Sequence, residues 1–173
     1  MVRFLGGRLA NCRPLSMDRL LKAFDEQFLL IDKRSRVLLE QIPDDKLFVR
    51  PRELPSMAMF SCGESILRSA AMVEKTFGGI TTRLWDDPFE WTLPEKLSTK
   101  AAIAQYLDEV EATRKKGFLF FTSDDDLKRE IPAPERLRPL VEVLLKTVAH
   151  ASHFQGRAFA ILQFLSDAKL PKL

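Results

Sequence analysis

The sequence predicts an all-α protein: a four-helix bundle with long inter-helix connections. Four long segments carry apolar residues at steps of three and four, and no segment shows a convincing strand alternation. Prolines and glycines cluster between these segments. The chain has 173 residues, of which 46% are hydrophobic and 29% charged. A chain of this size buries a core without disulfides or metals, so one globular domain is expected.

The first two helices have clear boundary signals. The first is expected to follow Pro14, with Ser16 as N-cap, and to end near Pro43, because proline cannot continue a helix. The second is expected to begin at Ser61, where Glu64 completes a capping box, and to stop at the glycine pair 78–79.

The third helix is predicted to start at Ser98 or Thr99, and the fourth to run from about Leu137 to Leu165. The acidic run at 124–126 lies between them. It lacks the spacing and the glycine of a calcium loop, so helix capping and solvation explain it better.

The connection at residues 80–97 is expected to lie across the bundle, because it contains both tryptophans, Trp85 and Trp91. Large aromatic side chains usually complete a core, although such a connection can also cover a site. Gly156 in the fourth helix predicts a close helix–helix crossing, either within the chain or across a dimer interface.

Charge separates residues 1–16, a basic N-terminal arm, from residues 17–173, the single bundle domain. The first sixteen residues contain three arginines and no acid, and the remaining 24 basic residues balance the 24 acidic ones. A neutral domain argues against nucleic-acid binding. No segment has the length of a membrane span, and no signal peptide is evident, so no membrane association and a cytoplasmic location are predicted. Two distant cysteines, Cys12 and Cys62, predict no disulfide framework.

The two histidines, His150 and His153, raise the question of a metal site. They stand three residues apart, a less favourable spacing than i and i+4 for two ligands on one helix face. The residue one turn after His150 is Phe154. A third ligand would have to come from another helix, so the residues alone indicate a metal site only weakly.

Two stretches resemble the DinB-like (DinB/YfiT-type) helical bundles, a family that includes many uncharacterised bacterial proteins and some thiol-dependent transferases. "FSCGESILRSAA" is similar to the family's second-helix pattern, and "HASHFQGRAFAIL" is similar to its fourth-helix pattern. The resemblance covers roughly residues 16–168. It implies a four-helix bundle, frequent homodimerisation and a site where three histidines hold a divalent metal.

Carried over position by position, the resemblance implies a degenerate metal site. The three histidine positions correspond to Arg68, His150 and Phe154, so two of the three ligands are missing. A guanidinium stays charged and cannot coordinate a metal. No cofactor is therefore expected. If a metal such as zinc or nickel is bound, the substitute ligands would be His150, His153 and Glu64.

The resulting prediction is a binding pocket formed by Arg68, His150, Phe154 and Glu64 that suits a small, anionic ligand. Alternatively, Arg68 pairs with Glu64 one turn earlier or extends into solvent. The predicted function is a bundle that binds a small molecule or acts as a homodimeric interaction protein. The alternative is a metal-dependent (thiol) transferase or hydrolase with substitute ligands.

Overall fold

Four long helices dominate the computed structural model, which describes residues 19–51, 59–88 and 94–166. They are α1 (Arg19–Gln41), α2 (Cys62–Thr82), α3 (Lys100–Phe118) and α4 (Leu140–Leu165). Short 3-10 helices lie at Asp44–Lys46, Pro94–Leu97 and Asp124–Lys128. The predicted all-α four-helix bundle is confirmed. The predicted arm at residues 1–16 lies outside the described residues, and no described helix is long and apolar enough to span a membrane.

The helices run up, down, down and up. Three contacts occur in opposite order along α2 and α4: Cys62 with Ala158, Ser69 with Ala151, and Thr76 with Thr147. Two ion pairs likewise make α1 and α3 antiparallel: Asp25 with Arg114, and Arg36 with Asp108. Two further contacts make α1 and α4 parallel: Ile31 with Gln155, and Lys46 with Leu165. Because α2 and α3 therefore run in the same direction, their connection has to return along the bundle.

The start of α2 is as predicted, but its end is not. Ser61 is the N-cap, and its capping box with Glu64 is complete. The helix continues through Gly78 and Gly79 to Thr82, so the predicted stop at the glycine pair was wrong. A Cβ at Gly79 would lie 2.3 Å from the Trp85 ring. Glycine here provides space for an aromatic ring instead of ending the helix.

A small β-hairpin precedes α4, which begins three residues later than predicted. Strands β1 (Glu130–Pro132) and β2 (Leu137–Pro139) pair antiparallel, with Ile131 opposite Arg138. Three-residue strands are too short to show the alternation on which strand prediction depends. The hairpin therefore had no visible signal in the sequence.

The acidic run caps helices, as predicted. The Asp124 carboxylate accepts hydrogen bonds from the backbone amides of Leu20 and Leu21, at 3.1 and 2.9 Å, in the first turn of α1. Asp126 forms a capping box with Ser123 at the start of its own 3-10 helix. These contacts satisfy amides that a helix leaves without partners at its N-terminus.

The core has an aromatic centre near the ends of α2 and α3. It consists of four rings in edge-on or tilted contact: Phe28, Phe77, Phe118 and Phe121. Gly117 lies against this cluster, since a Cβ there would be 2.3 Å from Phe77. Gly156 is different, because its position has no heavy atom within 4 Å. The predicted close crossing at Gly156 is thus absent within the described chain, while its dimeric form stays a prediction.

Candidate functional site

The predicted site residues lie along the surface where α2 packs on α4, the most extensive helix contact in the bundle. No pocket formed by described residues is lined by all of them. The side chains separate into an upper group near the start of α2, around Phe60, and a lower group near its end, around His150.

Glu64 is fully engaged in the upper part. One carboxylate oxygen lies 2.7 Å from the Arg50 guanidinium, and the other accepts the Ser61 backbone amide at 2.6 Å. Burial alone would raise the pKa of Glu64, but the hydrogen bonds from Arg50 and Ser61 lower it below its usual value. Glu64 is therefore a capping and ion-paired carboxylate, and its partner is Arg50, not Arg68.

Arg68 stacks on an aromatic ring. Its guanidinium carbon lies 4.1 Å from the centre of the Phe60 ring, and that of Arg157 lies 4.8 Å from the same centre. The Phe60 and Phe154 rings are 6.3 Å apart. Arg68 and Phe154 are thus joined through Phe60, a residue that the sequence did not single out.

The two histidines are exposed on α4. The His153 ring lies 5.7 Å from that of Phe154, edge to face. His150 lines the lower pocket, to which Arg68, Phe154 and Glu64 do not contribute. Of these four residues, only His150 lines a pocket formed by described residues, and their grouping in one pocket stays a prediction.

The three positions implied for a metal site do not fit a metal. A guanidinium stacked on a ring and a phenylalanine side chain offer no lone pair to an ion. Both Glu64 oxygens are engaged, which also leaves the substitute set of Glu64, His150 and His153 without a ready carboxylate. In the described part of the chain, no three His, Cys, Asp or Glu side chains cluster in a way that could hold a metal ion.

Cys62 does not supply a reactive thiol either. It is buried, and its sulfur lies 3.7 Å from the Ala158 carbonyl oxygen. Burial raises the pKa of the thiol to about 12, so the protonated form prevails at neutral pH. Cys12 lies outside the described residues.

A pocket of about 230 Å³ opens between the lower halves of α2 and α4 and is bounded by the hairpin. We call it the α2–α4 pocket. It is lined by Met72, Lys75, Thr76, Trp85, Ala133, Pro134, Arg138, Val143, Lys146, Thr147 and His150.

Helical spacing explains why these residues share a face. Met72, Lys75 and Thr76 lie three and four residues apart on α2. On α4, the lining residues recur at the same steps: Val143, Lys146, Thr147 and His150. The sequence did carry a signal, since Lys146 precedes His150 by one turn. The resemblance to a metal site instead concerned the following turn, at Phe154.

The pocket lining is strongly basic. Lys75, Lys146 and His150 form no ion pair with any described residue, whereas Arg138 is held by Glu135 and Glu142. The neighbouring acid of Lys75 points elsewhere, because Glu74 accepts a hydrogen bond from the Tyr106 hydroxyl of α3 at 2.5 Å. Two lysines and a histidine therefore face the pocket without a described acidic partner.

Two threonines at the pocket have their hydroxyl protons committed. Thr147 donates to the Val143 carbonyl at 2.8 Å, and the Thr76 and Thr147 oxygens are 2.7 Å apart. A hydroxyl has one proton, so Thr76 must be the donor to Thr147. The threonine hydroxyls therefore have no proton left to donate to a ligand, whereas the ammonium groups of Lys75 and Lys146 have.

Trp85 forms an aromatic wall of the pocket. The chain reverses at Arg83, whose φ of 63° is left-handed and whose amide donates to the Gly79 carbonyl at 3.0 Å. This turn brings the indole back onto α2 at Gly79. The connection therefore borders a pocket with one tryptophan, while Trp91 lies outside the described residues.

Among solved structures, the chain is similar to a DinB-like protein from Bacillus cereus ATCC 10987. The TM-score is 0.63 with 14% sequence identity, and the similarity covers 88% of this chain and 96% of that one. The sequence matches no family model and no curated protein. Similarity at this identity establishes the fold alone. The chain therefore has the DinB-like fold, as the resemblance of its second- and fourth-helix motifs implied.

Proposed function

We propose that this bundle binds a small anionic ligand in the α2–α4 pocket and does so without a metal. The observation that carries the proposal is the pair of lysines at the pocket: Lys75 and Lys146 line it, beside His150, with no ion-pair partner among the described residues. Hydrogen bonds between a cation and a carboxylate or phosphate are roughly twice as strong as neutral ones.

The charges that line the pocket favour an anionic ligand over a cationic one. Arg136 and Arg138 pair with Glu135 and Glu142, so these four side chains carry no net charge and leave no free carboxylate. A cationic ligand would meet two ammonium groups and no available acid. An anion would instead replace solvent around Lys75 and Lys146 and gain charge-assisted bonds.

The proposal that binding needs no metal rests on the upper group of side chains, those around Phe60 near the start of α2. Arg68 stacked on Phe60 brings a permanent positive charge to a position that the resemblance assigns to a metal ligand. A second guanidinium, that of Arg157, lies over the same ring. Fixed positive charges next to an ion site oppose the entry of a divalent cation.

Thermal unfolding in the presence of acetate, benzoate, inorganic phosphate and phenyl phosphate tests the proposal. A ligand at 100 times its Kd stabilises a protein by about 2.7 kcal/mol, which corresponds to roughly 5–10 °C for a domain of this size. We expect such a shift in the wild type and its loss in Lys75→Gln/Lys146→Gln. Lys33→Gln/Lys116→Gln is the matched control, since both lysines are exposed and neither lines the pocket.

Two results would contradict the proposal. If no anion in the panel shifts the melting temperature, or if both double variants lose the shift equally, the pocket does not select anions. Metal analysis of untagged, dialysed protein is the second arm. Stoichiometric zinc or nickel that disappears in His150→Ala would support the metal-dependent alternative with its substitute ligands.

A further inference from the structure

We infer that the ligand of the α2–α4 pocket is a planar aromatic acid, a single ring that bears a carboxylate or a phosphate, and that Trp85 selects for the ring. This inference rests on the proposed anion binding and extends it to the uncharged part of the ligand. It follows from how Trp85 is positioned, from the pocket volume and from the chemistry of the pocket lining.

The backbone around α2 places the indole at the pocket. A Cβ at Gly79 would lie 2.3, 2.5 and 2.5 Å from three atoms of the Trp85 ring, so the ring covers the glycine face-on. The left-handed turn at Arg83 directs the chain back to this contact. The side chain is half-buried, and it lines the pocket while it rests on α2. Trp85 is therefore held against the helix as a wall of the pocket.

The volume of the pocket suits a small ligand. About 230 Å³ corresponds to roughly eight water molecules, at about 30 Å³ each. Typical drug-sized ligands occupy pockets of about 300–1,000 Å³. A benzene ring with one acidic substituent fits within this volume.

The lining combines apolar and cationic groups. Apolar side chains come from all the bordering elements: Met72, Trp85, Ala133, Pro134 and Val143. The cations Lys75 and Lys146 lie on α2 and α4, and His150 follows Lys146 by one turn. An inorganic anion would pair with the lysines but leave the apolar side chains in contact with water. A neutral ring would cover the apolar side chains but leave the lysines without an anionic partner. An aromatic acid satisfies both, because offset or edge-to-face ring contacts with an indole add to simple burial.

Calorimetric titration with four probes tests the inference: phenyl phosphate, inorganic phosphate, benzoate and benzyl alcohol. We expect wild-type protein to bind phenyl phosphate at least fivefold more tightly than inorganic phosphate, and benzoate more tightly than benzyl alcohol. Trp85→Ala should weaken phenyl phosphate binding about five- to tenfold, the range expected for loss of an aromatic contact. It should change inorganic phosphate binding less than twofold.

Two further variants separate a specific role of Trp85 from a general structural one. Trp85→Phe retains a ring and should restore phenyl phosphate affinity to within threefold of the wild type. Gly79→Ala should weaken phenyl phosphate binding by displacing the indole, with inorganic phosphate binding unchanged. In a Trp91→Phe background, Trp85 is the sole tryptophan, and its fluorescence should respond to phenyl phosphate and much less to inorganic phosphate.

The failures of the two proposals are distinguishable. Equal binding of phenyl phosphate and inorganic phosphate, both insensitive to Trp85→Ala but abolished by Lys75→Gln/Lys146→Gln, would overturn the aromatic inference and leave anion binding intact. Binding of benzyl alcohol as tight as that of benzoate would overturn the anionic requirement and both proposals with it. Absence of binding by all four probes to folded wild type would do the same.

Discussion

The two sides of the bundle differ in whether their basic side chains form ion pairs. Where α1 meets α3, the basic side chains are paired: Arg114 contacts Asp25 and Glu111, and Arg36 contacts Asp32 and Asp108. Where α2 meets α4 at the lower pocket, Lys75 and Lys146 have no ion-pair partner among the described residues. The first arrangement connects helices, and the second leaves positive charge available to a ligand.

The comparison shows how structural and functional charges can be told apart. Arg114 is only 4% exposed and makes a two-pronged contact with Glu111, at 2.6 and 2.8 Å. A guanidinium buried this deeply requires its acids, because an unpaired buried charge is strongly destabilising. Lys146 is exposed and keeps its charge hydrated without a partner. Its position is therefore free to serve binding.

The largest effect is expected from Arg114→Met, which keeps an apolar stem but removes the charge. Asp25 and Glu111 would lose their partner, and we expect the free energy of unfolding to fall by about 2–4 kcal/mol at pH 7. Arg36→Met is the matched control on the same helix pair. That side chain is 31% exposed, so its loss should cost less than about 1 kcal/mol. Urea unfolding measures both, and equal effects would contradict the distinction.

The Arg114 effect should also depend on pH. Burial alone would raise the pKa of Glu111, but hydrogen bonds from Arg114 and Lys115 lower it overall. A carboxyl group with a lowered folded-state pKa contributes stability above its unfolded value of about 4.3, and this contribution is lost as pH falls through the folded pKa. The difference between wild type and Arg114→Met should therefore shrink below about pH 4. A difference that is independent of pH would contradict this assignment.

The next largest effects on stability are expected at two glycines, Gly117 on the interior side of α3 and Gly156 on the outer face of α4. Gly117→Ala would press a methyl group against Phe77, which is fully buried, and should destabilise by about 1–3 kcal/mol. Gly156→Ala has open space and should stabilise by up to about 1 kcal/mol, because alanine is the better helix former. Thermal unfolding compares the two. A concentration-dependent destabilisation by Gly156→Ala would instead indicate a second copy packed at that face, as the homodimer prediction requires.

The smallest effect on stability is expected at the pocket itself. Without ligand, Lys75→Gln/Lys146→Gln should change the free energy of unfolding by less than about 0.5 kcal/mol, since surface substitutions without partners are usually near neutral. This is the reverse of the Arg114 result. A loss of 2 kcal/mol or more in urea unfolding would show that these lysines are structural, and the comparison between the two sides would fail.

The local rules of helix formation made much of the fold predictable. The capping box of Ser61 and Glu64 and the N-cap at Thr99 are encoded within four consecutive residues, so the sequence displays them directly. The predicted helix end at the glycine pair 78–79 was wrong because local rules were not sufficient there. Gly79 makes room for the Trp85 ring, and the neighbouring residues alone do not show whether a glycine ends a helix or accommodates a ring.

The candidate site was less predictable, because it combines elements distant in the chain. The sequence identified His150, and the separation of Lys146 and His150 by one turn was visible, but Lys75 lies about 70 residues away on another helix. In the described residues, Arg68 and Arg157 stack on Phe60 in the upper part of the α2–α4 contact, whereas His150 lines the α2–α4 pocket.

The sequence by itself determined the four helices, most of their boundaries and the presence of Arg68 and Phe154 at two positions where the family resemblance implies metal ligands. These features depend on residue identity and on periodicity along one helix. Only the tertiary structure decided which cations are paired, that Trp85 folds back onto Gly79, and that His150 shares a pocket with Lys75. Each of these depends on side chains of different elements competing for the same space and the same partners, and no single stretch of sequence records the outcome.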